Sequence, residues 1–399
     1  MGLEEEDDRR TGEAMTLNTS MQSLHDSGRP RDFFAAVYAG LPTWRVPYAL
    51  SVPPAFWPWL EQRVGADQIA VYRRDYGNRG AGMRRKGKPP WDQPWGDQPT
   101  DAKIERELWE RFRKYLPQLD VPGRRVTEYG CMTVPGSMYH LRRHYFPMTG
   151  MSDASELTAY PWPDVTEQWR WEGIGQDIRQ KIEQGYWVES AIGSIYETAW
   201  LCRGQEQLLV DLYENPSFAE ALLDRTTADC EYEARRLAEY GVDLLHGGDD
   251  MGIQGGLVMS LTMLDKWILS RWEKVIAAAR SVNPEIKIRF HTDGKMGAAI
   301  PRMLEIGVNA IDPVQPELDD PEQLKRRFGR KLVLAGTVGA RTLAFGPPDR
   351  IRAEIAERME TAKAYGGMII TSNNSPDRNT PFEHFRAFLE ACEEYGALD

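Results

Sequence analysis

Eight apolar runs of six to eight residues recur along the chain, most of them separated by an amphipathic stretch of helical length. They are "RVPYALS" (45–51), "IAVYRRD" (69–75), "YWVESAIG" (186–193), "VDLLHGG" (242–248), "IKIRFH" (286–291), "VNAIDPV" (308–314), "KLVLAG" (331–336) and "GMIITS" (367–372). Runs this short and this apolar suit strands, and the stretches between them suit crossover helices. "NPSF" through "EYG" shows the pattern, with a capping residue and Pro at the entry and Gly at the exit. Strand and helix in alternation build a parallel sheet, and eight units predict a closed (β/α)₈ TIM barrel. A doubly wound open sheet would produce the same alternation.

Two insertions interrupt the order. "GKPPWDQPWGDQP" (87–99) reads as an ordered loop whose tryptophans need cover, and residues 124–163 read as an extended hairpin with a proline-rich return. His140 and His144, in "HLRRH", are spaced like ligands on a helix, but the surrounding pattern is extended and they read as surface or hairpin residues. Residues 1–28 are charged and lack apolar periodicity, so they read as a disordered acidic tail before a single domain over 29–399.

Composition narrows the function. A net charge of −11 and a pI near 5.3 argue against a nucleic-acid binder and favour a small-molecule substrate. The four cysteines, Cys131, Cys202, Cys230 and Cys392, lack C-x-x-C spacing and fit a reducing compartment. The start "MGLEEEDDRR" has no apolar stretch of the kind that targets secretion, and no apolar run reaches spanning length. The expectation is a soluble cytoplasmic protein without membrane contact.

In a parallel barrel, reactive groups come from the carboxyl ends of the strands. Those ends are dense in polar residues here: Asp75; Gly193, Ser194 and Tyr196; Asp249 and Asp250; His291 and Asp293; Asp312 and Gln315; Asn373 and Asn374. Helix capping and turn closure account for such residues singly. The adjacent carboxylates of "GGDDMGIQGG" ask for more, because they repel and need donors or a cation. Residues 73–88 hold seven Lys or Arg, among them Arg73, Arg74, Arg79 and Arg84. They suit a loop that folds onto an anion, or equally a solvated loop balanced against acidic helices.

The segment "HTDGKMGAAIPRMLEIGVNAIDPVQPELDDPEQLKRRFGRKLVLAGTVGARTLAFGPPDRI", with "GGMIITSNNSPDRNTPFEHFRAFLEACEEYG", resembles the uroporphyrinogen decarboxylase superfamily, including its corrinoid-linked methyltransferase branch. "EYG", "YPWPD" and "GGDDMGIQ" extend the resemblance over roughly residues 45–396. It implies a (β/α)₈ barrel with its site at the strand ends. By this resemblance "IAVYRRDYGNRGAGM" is the second strand, which puts Asp75 on the aspartate that steadies the protonated substrate. The arginine-rich N-terminal segment of true decarboxylases is missing, since "GLPTWRVPYALSVPPAFW" contains only Arg45.

Methyltransferase relatives show His-x-Cys where this chain has His291 and Asp293, with a second cysteine near the last strand, and hold zinc there. No cysteine lies between Cys230 and Cys392, so a thiolate-rich zinc site is not expected. Neither a metal nor another cofactor is expected; if a metal binds, His291, Asp293, Glu128 and Asp249 are its candidate ligands.

The leading expectation is an enzyme that removes a one-carbon group, by decarboxylation, from an anionic small molecule. Asp75 stabilises the substrate, and His291, oriented by Asp293, donates the proton. Arg73, Arg74, Arg79 and Arg84 hold spectator carboxylates, and Tyr196, Asp249, Asp250, Gln254, Gln315 and Asn373 line the site. Two alternatives stand beside it: a methyltransferase or demethylase working with a corrinoid protein, in which zinc would be expected, and a non-catalytic barrel that binds a tetrapyrrole or another anion. The reading leaves room for a homodimer.

Overall fold

The computed structural model describes residues 29–41, 43–49, 61–62, 80–83 (backbone), 102–119, 121–136, 142–376 and 380–398. In chain order the strands are β1 (Gly80–Met83), β2 (Arg125–Val126), β3 (Met132–Pro135), β4 (Arg142–Tyr145), β5 (Trp187–Ala191), β6 (Leu244–Gly248), β7 (Gly252–Ile253), β8 (Gly256–Leu257), β9 (Lys287–His291), β10 (Ala310–Asp312), β11 (Val333–Ala335) and β12 (Met368–Ile369). Seven of them form one sheet in the order β1-β5-β6-β9-β10-β11-β12, with every pairing parallel. Beyond β12, Tyr48 makes a parallel bridge to Ile370.

Six of the eight runs read as strands carry β5, β6, β9, β10, β11 and β12, and a seventh supplies the Tyr48 bridge. The eighth, 69–75, lies outside the described residues, as do the 1–28 tail and the 87–99 insertion. One correction concerns β1, which falls inside the 73–88 stretch read as a loop. Its "GAGM" sequence has no apolar alternation to announce a strand, and its place comes from pairing with β5. The described strands make an arc, and the pairing that would close it into a ring, between the Tyr48 segment and β1, is not made among the described residues.

Register sorts the side chains, because alternate residues of a strand face opposite ways. Val188, Leu245, Ile288, Phe290, Ile311, Leu334 and Met368 enter the large core cluster with the helices, among them Phe218 and Leu222 of the Pro216–Tyr240 helix and Trp272 and Val275 of the Ser270–Arg280 helix. On the other face Trp187, Leu244, Ala310, Val333, Ala335 and Ile369 form a separate apolar cluster near the amino ends of the strands.

The partners in this second cluster are Phe33, Phe34, Val37 and Tyr38 of the Pro30–Ala39 helix. Pro30 pre-sets its first turn, and Gly40, at φ 68°, ends it in the left-handed conformation. Tyr38 stacks on Trp187 with ring centroids 5.4 Å apart and planes 9° from parallel. The helix therefore floors the inner face at its amino end and leaves the carboxyl end for chemistry.

The predicted hairpin is the antiparallel sheet β2-β3-β4. His144 lies in β4 opposite Thr133, consistent with its reading as a hairpin residue. No helix among the described residues is long and apolar enough to cross a membrane. All four cysteines are buried.

Candidate active site

Above the apolar floor the inner face turns polar in register. His246 of β6 pairs in the ladder with Arg289 of β9, and one step further toward the carboxyl ends Gly248, His291 and Asp312 align across β6, β9 and β10. Arg289 and Glu189 form an ion pair at 2.8 Å, with Asp312 Oδ2 3.7 Å from Arg289 Nε. Burial opposes the charge on Arg289, but Glu189, Tyr38 and Asp312 outweigh it and hold the guanidinium firmly protonated. His246 is kept neutral by burial first, then by Arg289 and His291, so its pKa lies well below the usual imidazole range. Its ring meets that of His291 edge-on, centroids 5.9 Å apart.

The rim is built where the segment after β6 locks onto the segment after β9. A side chain at Gly248 would place its Cβ 2.0 Å from the His291 carbonyl oxygen, so only glycine lets the two strands converge. Asp250 accepts the Asp293 N–H at 2.8 Å, and Gln315 accepts the Gly294 N–H at 2.7 Å. Gly294, at φ 88°, abuts Gly252, and the β7-β8 hairpin is thereby held against "HTDG". Thus the run suited to a protein interior ends in His291, Asp293 and Gly294 because each has a rim partner or a rim position.

The two carboxylates of "GGDD" do different work. Asp249 is fully buried and accepts from the N–H groups of Ile195 and Glu197, at 3.3 and 2.8 Å, and from Trp272 Nε1 at 2.7 Å. Burial raises its pKa to about 7, against the lowering effect of these donors. It ties the turn after β6 to the start of the Tyr196–Arg203 helix and has no face toward a substrate. Beside it stands Glu197, pushed up to about 8 by burial and then by Asp249, Asp250 and Asp293. A carboxyl in that state is a proton donor at neutral pH.

The other predicted site residues separate by position. Asn373 is buried, accepting the Ala340 N–H at 2.8 Å and donating to Glu317 at 3.2 Å, which makes it a brace of the rim. Gln254 is exposed in the β7-β8 turn. Tyr196 is only 1% exposed and belongs to the core cluster, so it supports the wall and does not line the mouth. Asp75, Arg73, Arg74, Arg79 and Arg84 lie outside the described residues.

The metal set read from the sequence loses two members. Glu128 is buried and held by Arg170 at 2.8 and 3.1 Å, and Asp249 is occupied by its three donors. His291 and Asp293 do come together with Asp250, one ligand atom from each lying within 4.8 Å of the others. No cysteine takes part in a candidate metal group among the described residues. Sequence reading missed Glu197, Glu189, His246 and Arg289. The last two carried a signal, each standing two residues before a rim position and hence on the same face of its strand.

A family model described as "Uroporphyrinogen decarboxylase (URO-D)" matches residues 176–395, more than half of the chain. No curated protein matches the sequence. Among solved structures, a methyltransferase from Methanosarcina mazei shares the fold with a TM-score of 0.59 at 18% identity, covering 92% of this chain and 99% of its own. A B12-independent methionine synthase from Shewanella sp. W3-18-1 gives a TM-score of 0.43 at 12% identity, covering 79% of this chain and 95% of its own. The matched segment begins in the helix before β5 and takes in Glu197, Asp250, His291 and Asp312. By this match the chain belongs to the uroporphyrinogen decarboxylase family.

Proposed function

We propose that the protein is an enzyme that removes a one-carbon group, as CO₂, from an anionic small molecule bound at the carboxyl ends of β6, β9 and β10. The observation that carries this is Glu197, a carboxyl with a pKa of about 8 at the rim, since loss of CO₂ leaves a carbanion that must take up a proton. Glu197 takes over the donor role first read at His291. No group among the described residues hydrogen-bonds to the His291 ring, whose nearest carboxylate oxygen, on Asp250, is 3.9 Å away. Asp250 and Gln315 hold the His291–Gly294 rim in place, and Asn373 braces the Ala340 backbone. Asp75, to which the family resemblance gives the substrate-steadying aspartate, and Arg73, Arg74, Arg79 and Arg84, read from the 73–88 charge run as anion holders, are the remaining candidates and lie outside the described residues.

Methyl transfer is the second reading. Asp250, Asp293, Asp312 and Glu197 crowd the described rim with acids, which favours a neutral or cationic methyl donor over an anion, and a structural neighbour bears the description methyltransferase. A corrinoid protein would then be the partner. Incubation of the purified enzyme with carboxylated small molecules, and with methylated ones in the presence of a reduced corrinoid, cob(I)alamin, to accept the methyl group, followed by mass spectrometry, separates the readings. Products lighter by CO₂ support the first, and products lighter by a methylene unit support the second. Retention of a ligand without any product would sink both in favour of a binding barrel.

A further inference from the structure

Proton donation by Glu197 leaves two imidazoles and a carboxylate of the inner face unused. His246, His291 and Asp312 each offer one ligand atom, and these lie within 4.8 Å of one another. They stand on three neighbouring strands, β6, β9 and β10, so the parallel ladder fixes their spacing. His246 Nε2 is a buried atom with no hydrogen-bond partner among the described residues, and it stands 3.9 Å from Asp312 Oδ2.

We propose that the protein binds one divalent transition-metal ion between His246, His291 and Asp312. Two imidazoles and a carboxylate are a donor set for zinc, iron(II) or cobalt(II), and three protein ligands leave positions open for substrate. Donors about 2.1 Å from one ion stand roughly 3.4 Å apart, so His246 and Asp312 need to close by about half an ångström. Charge agrees: Glu189 offsets Arg289, while Asp312, Asp250 and Asp293 surround the position with acid.

The set differs from the thiolate site of the methyltransferase branch, for which this chain lacks the cysteines. It deepens the proposed function and rests on it only for its purpose, namely that the ion would supply the positive charge an anionic substrate does not find among the rim acids. Binding itself is measured without turnover, so the two ideas fail separately.

The test uses the full-length protein dialysed against a chelator and titrated with Co²⁺, read by visible absorption, with Zn²⁺ as competitor. One equivalent is expected to bind, and the Co²⁺ form should show two hyperfine-shifted imidazole N–H resonances. His246→Gln and Asp312→Asn should each weaken binding at least about 100-fold with the circular dichroism spectrum unchanged, and Asp293→Asn should weaken it less than about 3-fold. Absence of saturable Co²⁺ and Zn²⁺ binding to the wild type overturns the proposal. So does a single shifted imidazole, or binding that Asp293→Asn abolishes and His246→Gln spares, either of which moves the ion to Asp250, His291 and Asp293. Should a variant fail to fold, the wild-type stoichiometry and the imidazole count still decide.

Discussion

Asp249 accepts the backbone N–H of Glu197 at 2.8 Å, so the acid buried after β6 fixes the position of the acid at the rim. Burial and the neighbouring acids raise Glu197 to about 8 and burial raises Asp249 to about 7. Unfolded carboxyls titrate near pH 4. Between these values the native state holds protons that the unfolded state has lost, so stability falls as pH rises from about 4 to 8. Urea unfolding at roughly pH 5 and pH 9 should show this fall, and Glu197→Gln should make it smaller. An equal fall in wild type and variant would show that Glu197 does not carry its proton into the neutral range.

Gly248→Ala tests the convergence of β6 on β9. Its Cβ would lie 2.0 Å from the His291 oxygen and 2.6 Å from the His291 nitrogen, and backbone cannot step aside as a flexible side chain can. The expected loss is about 1–3 kcal/mol or more, with displacement of His291. Denaturation midpoints measure the first, and the His291 ring signals in NMR report the second; wild-type values for both would contradict the described approach.

The core of the fold was legible because period and punctuation were strong: apolar runs flanked by Gly, Pro and Asp gave six sheet strands and the two-sided burial that a parallel sheet needs. β1 was not legible, because "GAGM" carries no alternation and owes its conformation to its neighbour Trp187–Ala191. At the site, residue type showed that Asp249 and Asp250 needed donors, yet not that Trp272 and the Asp293 N–H supply them. Glu197 was invisible for a related reason. An acid in the first turn of a helix is ordinarily a solvated partner of the helix dipole, and only its surroundings make it a proton carrier.

Glu128 and Arg170 are 0% and 1% exposed, two charges that water does not reach. The pair is buried together, so Glu128→Gln should cost up to about 3–5 kcal/mol by removing the buried counter-charge of the guanidinium, which also meets the more exposed Glu167 at 3.1 Å. Co²⁺ affinity should remain that of the wild type, since Glu128 stands in the turn after β2 and Arg170 in the segment after the insertion, outside the β6-β9-β10 ladder. A loss of metal binding in a folded Glu128→Gln protein would restore Glu128 to the ligand set.

Glu189→Gln addresses the tier below the rim. Glu189 is the acid that meets Arg289 at 2.8 Å, while Asp312 stands 3.7 Å away on the other side. With Glu189 neutral, the guanidinium turns its full charge on Asp312 and His246, and a cation beside them meets repulsion that the wild type cancels. Affinity for Co²⁺ should fall about tenfold, in the range of changes made around metal ligands, without loss of stoichiometry. Raising the ionic strength should recover little of it, because the groups lie inside the sheet's inner face, where screening is weak. Unchanged affinity would mean that Arg289 does not act on the His246–Asp312 position.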